Sequence, residues 1–139
     1  MTPQHMSFEV KKYQTGDYLR ASVMCVMGDI DLTTASELRA AINRLLVAEP
    51  PARLILDLHC VAHIDSSGVG TLLEALRGAD RRQVDFLLCG LNNAAQRMLE
   101  RTRLNLVFDI RPSLKEALRG EPATQAQFKK EQDKPELSK

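Results

Sequence analysis

The chain has no apolar run near the roughly 20 residues that a membrane-spanning helix requires, and Met1 to Lys12 contains no apolar segment like that of a secretory signal. A cytoplasmic protein without membrane insertion is expected. Excess charge is also lacking: 19 basic residues stand against 18 acidic ones, for a formal net charge of +1. There is no broad positive field to meet a phosphate backbone, so direct nucleic-acid binding is not expected. Cysteine is scarce. Cys25, Cys60 and Cys89 are an odd number without a close pair, which does not describe a disulfide framework and leaves reduced thiols as the expectation.

What is present fits one soluble domain. Of 139 residues, 44% are apolar and 27% charged, enough for a single hydrophobic core without disulfides or metal to staple it. Phe8 to Tyr13 and Leu19 to Met27 read as strands joined through Gly16 and Asp17, a hairpin. From Thr34 to Leu46 the positions Leu38, Ala41, Ile42 and Leu45 keep helical spacing, Thr34 with Glu37 has the form of a capping box, and Pro50 and Pro51 end the helix. Leu54 to Leu58 is dense enough for a central strand covered on both faces. A helix begins after Asp65 with Val69, Leu72, Leu73 and Leu76 inward. Val84 to Cys89 follows as a strand, Asn93 to Arg101 as a helix, Leu106 to Ile110 as a last short strand, and Leu114, Ala117 and Leu118 as a final amphipathic turn. The predicted fold class is therefore α/β: a mixed sheet with an N-terminal hairpin and crossover helices packed on it. The domain is placed at 1–120. Residues 121–139 hold too few apolar groups to offset their ordering entropy and read as a disordered tail, passive rather than a partner contact.

The segment His63-Ile64-Asp65-Ser66-Ser67-Gly68-Val69-Gly70 carries the chemistry. It leaves a buried strand and enters a helix, where backbone N–H groups lack intrahelical partners, so both serines read first as caps. The same position suits a phosphoryl group on Ser66, which would face the positive end of the helix dipole. Asp31 lies at the entry to the first helix, locally a cap or a favourable partner for its dipole, and Asp65 either orients Ser66 or stabilises the start of the next one.

Two motifs, Gly28-Asp29-Ile30-Asp31-Leu32-Thr33-Thr34-Ala35 and Ile64-Asp65-Ser66-Ser67-Gly68-Val69-Gly70, resemble those of the sulfate-transporter and anti-sigma-factor-antagonist family, abbreviated STAS. The resemblance in element order covers roughly Phe8 to Arg119. It implies a binding protein with no catalytic residues and no cofactor. In stand-alone members, the serine in the position of Ser66 is phosphorylated by an anti-sigma factor that is also a serine kinase. The unphosphorylated form captures that kinase, the phosphorylated form releases it, and a serine phosphatase resets the cycle. The resemblance implies a partner-binding surface of Asp31, Asp65, Ser66, Ser67 and Gly68, with Ser66 the phosphorylation site. It also allows a non-phosphorylated subunit of a transporter or signalling complex, in which Ser66 is only a cap. Oligomeric state stays open.

Other chemistries are weighed and set aside. His59, Cys60 and His63, with Asp57 or Asp65, match no zinc spacing, and no metal is assigned. Cys60 and Cys89 end two strands and would form a redox pair only if their Cα atoms lay within about 7 Å. Asp-Ser-Ser-Gly lacks the glycines of a nucleophile elbow, and Gly68-Val69-Gly70 has no phosphate-binding lysine, so neither a serine hydrolase nor an NTPase is expected.

Overall fold

A computed structural model describes residues 6–15 and 19–119. Strands β1 (Ser7–Thr15) and β2 (Leu19–Met27) form the antiparallel hairpin, Ser7 pairing with Met27 and Thr15 with Leu19. Gly16 and Asp17 of the expected turn, and the expected tail, lie outside the described residues. Next come α1 (Ala35–Ala48), β3 (Arg53–Cys60), α2 (Ser66–Arg81), β4 (Asp85–Cys89) and α3 (Asn93–Arg101), then β5 (Asp109–Arg111) and α4 (Leu114–Ala117). The sheet order is β1-β2-β3-β4-β5, with every pair after the hairpin parallel.

This order explains the layering. A parallel sheet that grows in one direction through crossovers of one hand carries all its crossover helices on one face. Accordingly Leu38, Ile42 and Leu46 of α1, Leu72 and Ala79 of α2, and Ala95 and Leu99 of α3 share a core with Met24, Val26, Leu54, Leu56, Leu58, Phe86 and Leu88. The alternate residues Ala21, Val23, Ile55, Leu87 and Cys89 face the other way, against Ala117 and Leu114 of the short α4. Strand β3 is buried on both faces from Arg53 to Leu58, which is why Leu54, Ile55, Leu56 and Leu58 crowd together in its sequence.

Two expectations need correction. Leu106 to Ile110 is not a strand: Leu104–Leu106 is a single 3₁₀ turn, and only Asp109 to Arg111 pairs with β4. Leu106 and Val107 are 79% and 51% exposed, so the apolar run there signals surface, not sheet. Thr34 and Glu37 do not form a capping box. Thr34 precedes α1 in a near-helical conformation with no side-chain cap bond, because its hydroxyl is already held inside the preceding turn.

One buried polar group spans the sheet's far end. The Arg53 side chain is fully buried; Nε donates to Asp85 Oδ2 at 2.8 Å and Nη1 to the carbonyls of Ala117 and Arg119 at 2.8 and 2.7 Å. It ties β3 and β4 to the end of α4.

Candidate functional site

The two motif loops meet beyond the C-terminal ends of β2 and β3. Gly28 leaves β2 at φ 113°, a conformation that favours glycine. Ile30 then forms an isolated parallel bridge with Ile64: its N–H donates to the His63 carbonyl at 3.0 Å and its carbonyl accepts from the Asp65 N–H at 3.1 Å. Asp29 Oδ1 accepts from the His63 N–H at 3.2 Å. Asp31 is thus the residue next to the one that holds Asp65, and the first motif is fastened to the second through backbone.

Asp31 organises its own turn. Its Oδ1 accepts from Thr33 Oγ1 at 2.7 Å and from the N–H groups of Thr33 and Thr34 at 2.9 and 3.2 Å. The Thr34 hydroxyl donates to the Asp29 carbonyl at 2.7 Å and accepts from the Asp31 N–H at 3.0 Å. The Thr33 hydroxyl, with these N–H groups, holds the Asp31 carboxyl below the usual carboxylate range. A lowered pKa stabilises the fold above the ordinary value, so the turn's contribution is lost only as pH falls through the lower one.

At the second motif the cap is Asp65, not a serine. Asp65 is extended at φ −97° and ψ −176°, and its Oδ1 accepts from the Gly68 N–H at 2.9 Å. Ser66 is the first residue of α2 and exposed; among the described residues its hydroxyl makes no hydrogen bond. Ser67 is half-buried, with its carbonyl accepting from Thr71 Oγ1 at 3.1 Å. Gly68 is buried where helix meets loop. A Cβ there would run into the Ile30 carbonyl oxygen and stand 2.7 Å from Ile30 Cγ2 and 2.9 Å from Ile64 Cγ2. Of the five residues expected at a partner surface, Gly68 is buried, Asp31 and Ser67 are half-buried, and Asp65 and Ser66 are exposed. Asp65→Ala removes the cap and is expected to cost about 1 kcal/mol, read as a melting temperature lowered by a few degrees.

Two residues at this site escape sequence reasoning. Leu32 is 76% exposed beside Asp31, an apolar side chain presented to solvent at the tip of the first loop. Asn92 caps α3 by accepting from the Ala95 N–H at 2.8 Å, and its Nδ2 donates to the Ala62 carbonyl at 2.9 Å, bracing the loop that leads to Ser66. The Asn92-Asn93 pair before a helix was the available signal for the second. For Leu32 there was none, since a lone apolar residue in a loop carries no periodicity.

His63 does not join His59 and Cys60. Among the described residues, the side chains whose ligand atoms converge are Cys25, His59 and Cys60, within 4.8 Å of one another. Cys60 thus lies beside Cys25. The Cys25 thiol is pushed up by burial and by Asp57; Cys89 is buried against Asp57, its pKa pushed up to about 12. No described helix is long and apolar enough to cross a membrane.

The sequence and the fold both have known counterparts. Residues 11–117 match the family model of the STAS domain. The anti-sigma-B factor antagonist of Listeria monocytogenes is 31% identical over 107 residues, covering 77% of this chain and 90% of that protein. The anti-sigma-F factor antagonist RsfB of Mycobacterium tuberculosis is 30% identical over 104 residues, 75% of this chain and 84% of that one. Among solved structures, an anti-sigma factor antagonist from Mycobacterium paratuberculosis superposes with a TM-score of 0.71 at 28% identity, over 84% of this chain and 94% of its own. The unphosphorylated form of the antagonist SpoIIAA shares the fold, with a TM-score of 0.59 at 17% identity over 80% and 93% of the two chains. With its mixed sheet, its paired loops and a match across most of its length, the chain belongs to the STAS-domain family.

Proposed function

We propose that this chain is an anti-sigma factor antagonist, a binding protein without a reaction of its own. Unphosphorylated, it captures an anti-sigma factor that is also a serine kinase; phosphorylation of Ser66 releases it, and a serine phosphatase restores the first state. The surface offered is formed by the exposed Leu32, Asp65 and Ser66 with the half-buried Asp31 and Ser67, carried on the pair of loops that Gly68 lets close. The relatives named as antagonists of anti-sigma factors support the general role.

The observation that carries the choice of residue is the division of labour at the start of α2. Asp65 caps the helix, and the neighbouring Ser66 hydroxyl is exposed. A serine needed as a cap would be costly to modify. Ser66 is not so used, and its hydroxyl is open to in-line attack on the γ-phosphorus of ATP, losing its proton as ADP departs. The resulting phosphate would meet the positive end of α2, so the fold tolerates it.

Binding of the three Ser66 forms to the cognate anti-sigma kinase tests this. Ser66→Ala is expected to bind about as well as wild type yet resist release by ATP, and Ser66→Asp to bind at least about tenfold more weakly. Equal affinity and an equal ATP response for all three would place Ser66 outside the switch.

A further inference from the structure

Away from the Ser66 loop, on the sheet face opposite the crossover helices, three metal-binding side chains converge. Cys25 continues the row of Ala21 and Val23 on β2, and His59 continues the row of Ile55 and Asp57 on β3. Strict alternation from Leu58, which faces the helices, would send Cys60 to the helix side. The β2–β3 register slips at this point: Cys25 pairs with Asp57, but Met27 pairs with Cys60. The slip brings the Cys60 thiol to the Cys25 thiol and a His59 ring nitrogen, all three within 4.8 Å of one another.

We propose that Cys25, His59 and Cys60 bind a borderline-soft divalent cation of the zinc type. Two thiolates and an imidazole are the donor set such an ion prefers, and ligands at about 2.0–2.3 Å from zinc stand roughly 3.3–3.8 Å apart at tetrahedral angles, a small closure from the observed cluster. The surroundings are built accordingly. Asp57 Oδ1 lies 2.8 Å from His59 Nδ1 and accepts from the His59 N–H at 3.2 Å, the carboxylate–histidine contact that orients metal-binding imidazoles. Gly90, at φ 75°, leaves room for that carboxylate, since a Cβ there would stand 2.9 Å from Asp57 Oδ1 and 3.0 Å from His59 Cβ. Cys25 is half-buried while His59 and Cys60 are exposed, so an ion can enter from solvent and keep one coordination position for water or a partner's side chain.

The test uses the reduced full chain, with Zn2+ titrated in competition with a chromogenic chelator and Co2+ followed by absorption. One ion per chain is expected, with thiolate-to-cobalt charge-transfer bands. Cys60→Ser and His59→Ala should each weaken binding at least about tenfold, and Asp57→Asn about 10- to 100-fold. His63→Ala should bind as wild type does. Because Cys60 and His59 are exposed, their substitution spares the core, which circular dichroism verifies. Absence of 1:1 binding, a cobalt spectrum without thiolate bands, or unchanged affinity in Cys60→Ser would overturn the site. So would a Cys25–Cys60 disulfide whose reduction restores no cation uptake.

Discussion

Phosphorylation of Ser66 is expected to weaken binding of the anti-sigma kinase by roughly 30- to 4,000-fold, the equivalent of about 2–5 kcal/mol for an unpaired charge in a contact surface. The modification adds about −1.5 to −2 charges to a side chain that is exposed and otherwise uncharged. The loops around it, residues 28–34 and 61–68, carry Asp29, Asp31 and Asp65 and no lysine or arginine, so the new charge joins carboxylates. Repulsion and desolvation then act in the same direction. Titration calorimetry with the stoichiometrically phosphorylated protein measures the loss, and an affinity within threefold of the unmodified form would contradict it.

Arg53→Ala should have the largest effect on stability, about 3–5 kcal/mol, against a total of roughly 5–15 kcal/mol for a domain of this kind. The substitution strands the buried Asp85 carboxylate and removes the donor to two carbonyls at the end of α4. Replacing both partners, as in Arg53→Met with Asp85→Leu, should recover much of the loss, because no charge is then left uncompensated. Urea unfolding of the two single variants and the double variant closes the cycle. A loss below about 1 kcal/mol in Arg53→Ala would mean that water or a neighbouring group replaces the guanidinium.

Much of this architecture is legible in residue order, for identifiable reasons. The hairpin, β3 and α2 announce themselves by periodicity and by turn chemistry, and α3 runs over the predicted Asn93 to Arg101. Periodicity fails where burial does not control it. Leu106 and Val107 are apolar but exposed, so they mimic a strand that actually begins at Asp109. The capping box at Thr34 and Glu37 fails for another reason: a motif of local spacing cannot register that Asp29 and Asp31, in the preceding turn, already engage the threonine hydroxyl.

At the site, the adjacency of the two motifs follows from the family resemblance. Which of three neighbouring residues caps α2 depends on backbone geometry that Asp65, Ser66 and Ser67 could each have adopted, and the structure assigns it to Asp65. Gly68 is legible as a motif residue, but its reason is the approach of the Ile30 carbonyl, 38 positions earlier in the chain. The Cys25 contribution to the cysteine–histidine cluster is equally non-local, since it needs the β2–β3 pairing and its register slip.

The most direct test of the switch is the intact mass of the purified chain after incubation with ATP and lysate of its own source organism, with peptide mapping across residues 53–77. The account predicts a phosphoryl-sized mass increase located on Ser66 and absent from Ser66→Ala. An unmodified Ser66, in a lysate where other proteins become phosphorylated, would contradict the switch and leave the chain as a STAS subunit held constitutively in a larger complex.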